Sequence, residues 1–75
     1  MRRAPHPVMA ALARRRRELG VTQGALARRL FVSESAICFR EIGRASPCLA
    51  ELDQHARALG LRVALVPLGE RNDAA

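Results

Sequence analysis

Lysine, tryptophan and tyrosine are absent from this 75-residue chain, and its aromatic side chains are limited to Phe31 and Phe39. Acidic groups are few. Seven Asp and Glu stand against 13 basic residues, all of them arginine, for a formal net charge of +6. No apolar run nears the roughly 20 residues that span a membrane, so a membrane partner is not expected. Arg2 and Arg3 open the chain, but Pro5, His6 and Pro7 interrupt any apolar core of an export signal. Cys38 and Cys48, the two cysteines, are therefore expected as reduced, small buried apolar residues of a cytoplasmic protein. With His6 and His55 they form neither a Cys-x-x-Cys nor a His-x-x-x-His spacing, so no metal and no cofactor is expected. No Ser/His/Asp, Cys/His or paired-carboxylate set stands at a catalytic spacing, and a chain this short has little room for both a fold and a buried cleft. An enzyme is not expected.

What the chain does have is alanine and arginine, 27 residues of 75 between them, a bias that fits GC-rich coding as well as selection. A hydrophobic content of 49% is too high for a disordered tail and points to one small domain. A domain of this size buries only about 60% of its unfolded surface. It needs regular packing, a staple or a partner subunit.

Apolar periodicity predicts four helices. The first runs from 7 or 8 to 19, with Val8, Leu12 and Leu19 as its inner stripe, Arg16 on the same stripe, and Gly20 ending it. Thr22 is a good N-cap for the second, whose inner face is Leu26, Ala27 and Leu30. After the short break Phe31-Val32, Ser33 caps a third helix. Glu34 sits in its first turn, where the helix dipole favours negative charge, and Gly43 stops it. Ser46-Pro47 reads as an N-cap with proline at the first helical position. The fourth helix then carries Leu49, Leu52, Ala56 and Leu59 inward, leaves His55 on the solvent side and closes at Gly60. Over 61–68 the period changes: Leu61, Val63 and Leu65 alternate with Arg62, Ala64 and Val66 before Pro67. This reads as one strand. A lone strand leaves backbone groups unpaired, so pairing with the same strand of a second copy is preferred to an irregular apolar tail. The expected organisation is an arm over 1–7, a helical domain over 8–60, a dimerising strand over 61–68 and a frayed tail over 69–75.

Two short helices joined by a tight turn, in a basic chain, suggest a helix-turn-helix. Thr22-Gln23, Leu26-Ala27, Val32-Ser33, Ile37, Glu41 and Gly43-Arg44-Ala45-Ser46-Pro47 occur in the order and spacing of one family. Without a gap from Leu12 to Leu59, they resemble the Cro/C1 (XRE) class of helix-turn-helix regulators. The stretch 58–63, followed by the strand and Pro67, resembles HipB-like antitoxins within that class.

The resemblance implies an all-α, lambda-repressor-like domain of four to five short helices, extended by the C-terminal β-strand that pairs across a dimer. It implies that the third helix lies in the major groove of double-stranded DNA, with Ser33, Glu34, Ser35, Ala36 and Phe39 toward the bases. Thr22, Gln23 and Arg44 would hold phosphates, joined by Arg15 and Arg17 from the basic run. It also implies a structural ion pair between Arg16 and Glu41. An Arg on an apolar stripe needs such a partner, since a buried unpaired charge is costly; the other reading lets Arg16 snorkel outward.

The groove-facing set is chemically sparse. Serines discriminate weakly, Glu34 can accept from cytosine N4, and Ala36 and Phe39 offer apolar contact to thymine methyls. On another reading Ala36 and Phe39 are core and Glu34 only caps the helix. Two departures from the family pattern stand out. Phe31 occupies the turn position where glycine is usual. Phe39-Arg40 reverses the usual polar-then-apolar order, so either Phe39 faces the groove with Arg40 near the core, or the helix is rotated. The expected function is a dimeric, sequence-specific repressor, in its sharper form an autoregulating antitoxin with a cognate toxin. A phage or prophage repressor is the alternative within the class, and a protein-interaction module that reads no operator is the alternative outside it.

Overall fold

The computed structural model describes residues 4–69, so the expectations for 1–3 of the arm and for 70–75 of the tail lie outside the described residues. Four helices follow in order: α1 (Pro7–Glu18), α2 (Gln23–Leu30), α3 (Glu34–Glu41) and α4 (Leu49–Ala58). Their starts are set by local chemistry. Pro7 occupies the first position of α1, and His6 Nδ1 accepts from the Val8 N–H. Thr22 Oγ1 accepts from the Ala25 N–H, and Ser33 Oγ from the Ala36 N–H, each satisfying an orphan donor of the following helix. Cys48, not Ser46, precedes α4: Glu51 reaches back to accept from the Cys48 N–H at 2.9 Å, half of a capping box. Ser46 has Leu49 at the equivalent position and cannot be capped in this way. Gly20, Gly43 and Gly60 follow α1, α3 and α4 with positive φ. At Gly43 the need for glycine is double, because a Cβ would also stand 2.9 Å from Pro5 N and 3.0 Å from the Ala4 carbonyl.

Met9, Leu12, Leu26, Ala27, Ile37, Ala56 and Leu59 form the core, with Val21, Leu30, Val32 and Leu52 packed around it. α2 packs on α3 and α4, and α1 packs on α3. The inward stripe of α1 keeps Leu12 and Arg16 as expected and differs at its two ends. Met9, Leu12 and Ala13 are buried, whereas Val8 and Leu19 are exposed. Met9-Leu12-Arg16 keeps helical spacing and brings Arg16 to the same face. On α4 the inner positions are Leu52, His55, Ala56 and Leu59. Leu49, expected inside, is exposed, and His55, expected outside, has no exposed surface. Cys38 is half-buried and Cys48 is exposed; both thiols are free.

The expected C-terminal strand is absent among the described residues. The chain over 61–68 is irregular and exposed, including Leu61, Val63 and Leu65. Alternating apolar residues make a strand only where another backbone supplies the ladder, and no segment among the described residues does so.

Phe31 closes α2 in the left-handed region, at φ 58° and ψ 41°, with its N–H directed to Ala27 and Arg28 carbonyls. The glycine-like turn is therefore kept with a bulky residue in it. That conformation costs a non-glycine residue about 1–2 kcal/mol. Packing does not offset the cost, since Phe31 is 94% exposed.

Candidate nucleic-acid interface

On the inner face of α3, charged groups flank the core residue Ile37. Arg16 on α1 meets Glu41 on α3 in a fork: Nε donates to Oε2 at 2.7 Å and Nη2 to Oε1 at 3.0 Å. The remaining arm, Nη1, donates to the Val21 carbonyl at 2.8 Å. Gln23 Nε2 donates to Glu41 Oε1 at 3.0 Å, so this side chain steadies α3 and leaves its own position at the start of α2 half-buried. Burial opposes ionisation of Glu41, but the hydrogen bonds from Arg16 and Gln23 and the nearby Arg16 and Arg17 charges outweigh it. Its carboxyl is held below the ordinary carboxylate value. The bond to Glu41 likewise raises the Arg16 pKa.

One residue earlier, Arg40 is buried, and its Nη1 lies 3.2 Å from His55 Nδ1 on α4. A guanidinium can only donate, so Nδ1 is the acceptor and the neutral ring carries its proton on Nε2. That Nε2 is buried without a hydrogen-bond partner among the described residues. Burial, then the Arg40 charge, pushes the His55 pKa down. Arg40 and Glu41 thus connect α3 to each of the other three helices.

The outer face of α3 is different. Ser35, Phe39 and Ile42 are exposed at helical spacing, with no charge among them. The order Phe39-Arg40 places Phe39 outward and Arg40 inward, one of the two arrangements the sequence allows. The Arg44 guanidinium lies 5.4 Å from the centre of the Phe39 ring, a cation–π contact that fixes both at the surface. Ser33 is exposed, and its Oγ is engaged in the cap, which leaves the hydroxyl proton free to donate. The same holds for Thr22. Glu34 is exposed, with its carboxylate 3.2 Å from where a Cβ of Gly24 would stand, and Ala36 is half-buried.

Arg15 is half-buried and turned toward the end of α4, where its Nε donates to the Leu59 carbonyl at 3.0 Å. Arg29 Nη1 does the same to the Ala58 carbonyl at 3.3 Å. Two guanidinium groups therefore cover the C-terminal carbonyls of α4, where the helix dipole favours positive charge. Arg14, Arg17, Arg28 and Arg44 are exposed. Sequence reasoning missed the Arg40–His55 contact and both arginine caps. The spacing of Leu52, His55, Ala56 and Leu59 carried a signal for the first. Among the described residues no group of three or more His, Cys, Asp or Glu could hold a metal, and no helix is long and apolar enough to cross a membrane.

This arrangement, four short helices with α2 and α3 joined by a tight turn, is that of a small all-helical regulator fold. No family model matches the chain, and no curated protein matches it. Solved structures do. The crystal structure of the clp gene regulator ClgR from C. glutamicum is 33% identical, with a TM-score of 0.71, over 81% of this chain and 85% of that one. A toxin–antitoxin module from Streptococcus pneumoniae is 34% identical, with a TM-score of 0.66, over 81% of this chain and 67% of that one.

Proposed function

We propose that the chain is a DNA-binding transcriptional regulator of the Cro/C1 (XRE) type, reading duplex DNA with the outer face of α3. The observation that carries this reading is the division of α3. Arg40 and Glu41 are spent on orienting the helix, while Ser35, Phe39 and Ile42 stand out from it beside Arg44. Similarity to a gene regulator supports the same reading. Ser33 and Ser35 hydroxyls and the Phe39 ring meet base edges, the ring against thymine methyls. Arg44, Arg17 and the Thr22 hydroxyl hold phosphates and release counterions. The protein acts without a metal, cofactor or catalytic role, in the cytoplasm.

It acts as a homodimer that represses by covering a promoter. Helix 3 of each copy enters successive major grooves about 34 Å apart. A surface formed by Leu49, Ala50, Asp53, Val63, Ala64 and Leu65 offers exposed apolar side chains to a second copy. The finer role is that of an antitoxin repressing its own operon, which similarity to a toxin–antitoxin module supports.

Gel-shift titration on the DNA upstream of its own gene tests the proposal. A preference of at least a hundredfold over random duplex at physiological salt is expected; equal affinity for both would contradict it. The second reading, a protein-interaction module on the same fold, is favoured by the apolar character of Phe39 and Ile42, and equal affinity for all duplexes is its signature.

A further inference from the structure

The exposed Phe31 borders a groove on which the DNA-reading proposal makes no demand. Its walls are Arg29, Leu30 and Phe31 at the end of α2, and Gln54, Arg57 and Ala58 on the last turns of α4, around a volume of about 490 Å³. Leu30 and Ala58 make an apolar floor, and the exposed Phe31 ring stands at its edge. Arg29 and Arg57 make a cationic rim. Each guanidinium has one hydrogen bond among the described residues, Arg29 to the Ala58 carbonyl and Arg57 Nε to Asp53 Oδ2 at 2.9 Å. Most of the five donors of each remain available. Phe31 itself is 94% exposed and held at positive φ, where a glycine would end α2 with neither strain nor an apolar ring in water. A strained, exposed aromatic beside arginines is the composition of a binding hot spot rather than of a turn.

We propose that this groove is a docking site for an acidic segment of a partner protein, one that places an apolar side chain against Phe31 and carboxylates on Arg29 and Arg57. Charge decides the occupant. A second copy of this chain, at +6, presents the wrong sign. A duplex has the right sign, but its phosphates have no use for the Leu30–Ala58 floor, and it offers no unstacked base to the ring. The groove also lies at the far end of α2 from Thr22 and Gln23, about 12 Å away along an eight-residue helix. The proposal stands whether or not α3 reads an operator.

Selection from displayed random dodecapeptides tests it, using the full chain as bait and Phe31→Gly for counter-selection. The enriched peptides should carry two or more Asp or Glu next to Leu, Met or Phe. Their affinity should fall at least tenfold with Phe31→Gly or Phe31→Asn and severalfold with Arg57→Gln. Phe31→Tyr and Arg44→Ala should leave it unchanged. Phe31→Gly should melt at or above the wild-type temperature, which separates loss of the ring from loss of the fold. The proposal is overturned by a lower melting temperature for Phe31→Gly, by an uncharged, basic or absent consensus, or by binding indifferent to Phe31. Displacement of the peptides by random-sequence duplex would overturn it too, by making the groove a nucleic-acid contact.

Discussion

The two faces of α3 are made from adjacent residues and do opposite things. Inward, Arg40 and Glu41 are buried and bonded to α4, α1 and α2. Outward, Ser35, Phe39 and Ile42 are exposed and carry no charge. In a chain of net charge +6, Arg40, a group suited to reading bases bidentately, is thus employed in holding α3 still. A buried ion pair adds little net stability over a well-packed apolar pair, yet removing one partner is costly because it strands the other charge. Here that cost ties down the orientation of α3, and the exposed face can be sparse because it is held in place.

Breaking the inner face should have the largest consequence. Arg16→Met leaves Glu41 buried with Gln23 alone and should cost about 3–5 kcal/mol in urea unfolding. Pairing it with Glu41→Leu should recover most of that loss, since an apolar pair of similar volume replaces the ion pair. An unchanged unfolding midpoint for Arg16→Met would contradict the role given to the pair.

Acid should act on the same face. His55 has a lowered pKa in the fold, so the unfolded chain takes up the proton first as pH drops below about 6.5. Its contribution is complete above that pH and is lost as pH falls toward the folded value. Glu41, also lowered, adds a second loss below about 4.3, the ordinary carboxylate value. The melting temperature should decline between pH 7 and pH 5 in the wild type and less in His55→Gln, whose amide oxygen can still accept from Arg40. Equal slopes would remove His55 from the explanation.

The outer face should respond in the reverse sense. Phe39→Ala loses a half-exposed ring and a cation–π contact, so thermal stability should change by less than about 1 kcal/mol. Preference for the favoured operator over random duplex should nevertheless narrow several-fold in gel-shift competition. Arg44→Ala, the smallest effect expected, should weaken all duplexes alike and reduce the slope of log K against log salt by about 1. A sequence-selective loss would make Arg44 a base reader.

Much of the body was legible because its signals are local. Thr22 and Ser33 cap α2 and α3 with their own oxygens, and Gly20, Gly43 and Gly60 mark turns that require positive φ. The pairing of Arg16 with Glu41 came from the family resemblance, since nothing local links residues 25 apart. His55 was misplaced because a polar residue type was allowed to overrule its spacing with Leu52, Ala56 and Leu59. Burial is possible there only because Arg40 supplies a donor from another helix. On α1 Leu12 lies inward as expected, but Val8 and Met9 are both apolar and both at helical spacing from it, so only packing against the other helices selects Met9. Over 61–68, alternation of apolar residues described a strand but could not supply the second backbone that a strand needs. The bond from Arg15 to the carbonyl of Leu59, 44 residues away, had no local signal, since the basic run alone does not say where each guanidinium points.

Amide chemical-shift mapping of the labelled chain, titrated with a duplex from the region upstream of its own gene, tests the division of α3 most directly. The shifts should concentrate at Ser33, Ser35, Phe39, Ile42 and Arg44, with the Leu30–Phe31 and Gln54–Ala58 amides unmoved. Shifts spread evenly over the arginines, or centred on the α2–α4 groove, would mean that the outer face of α3 is not what meets DNA.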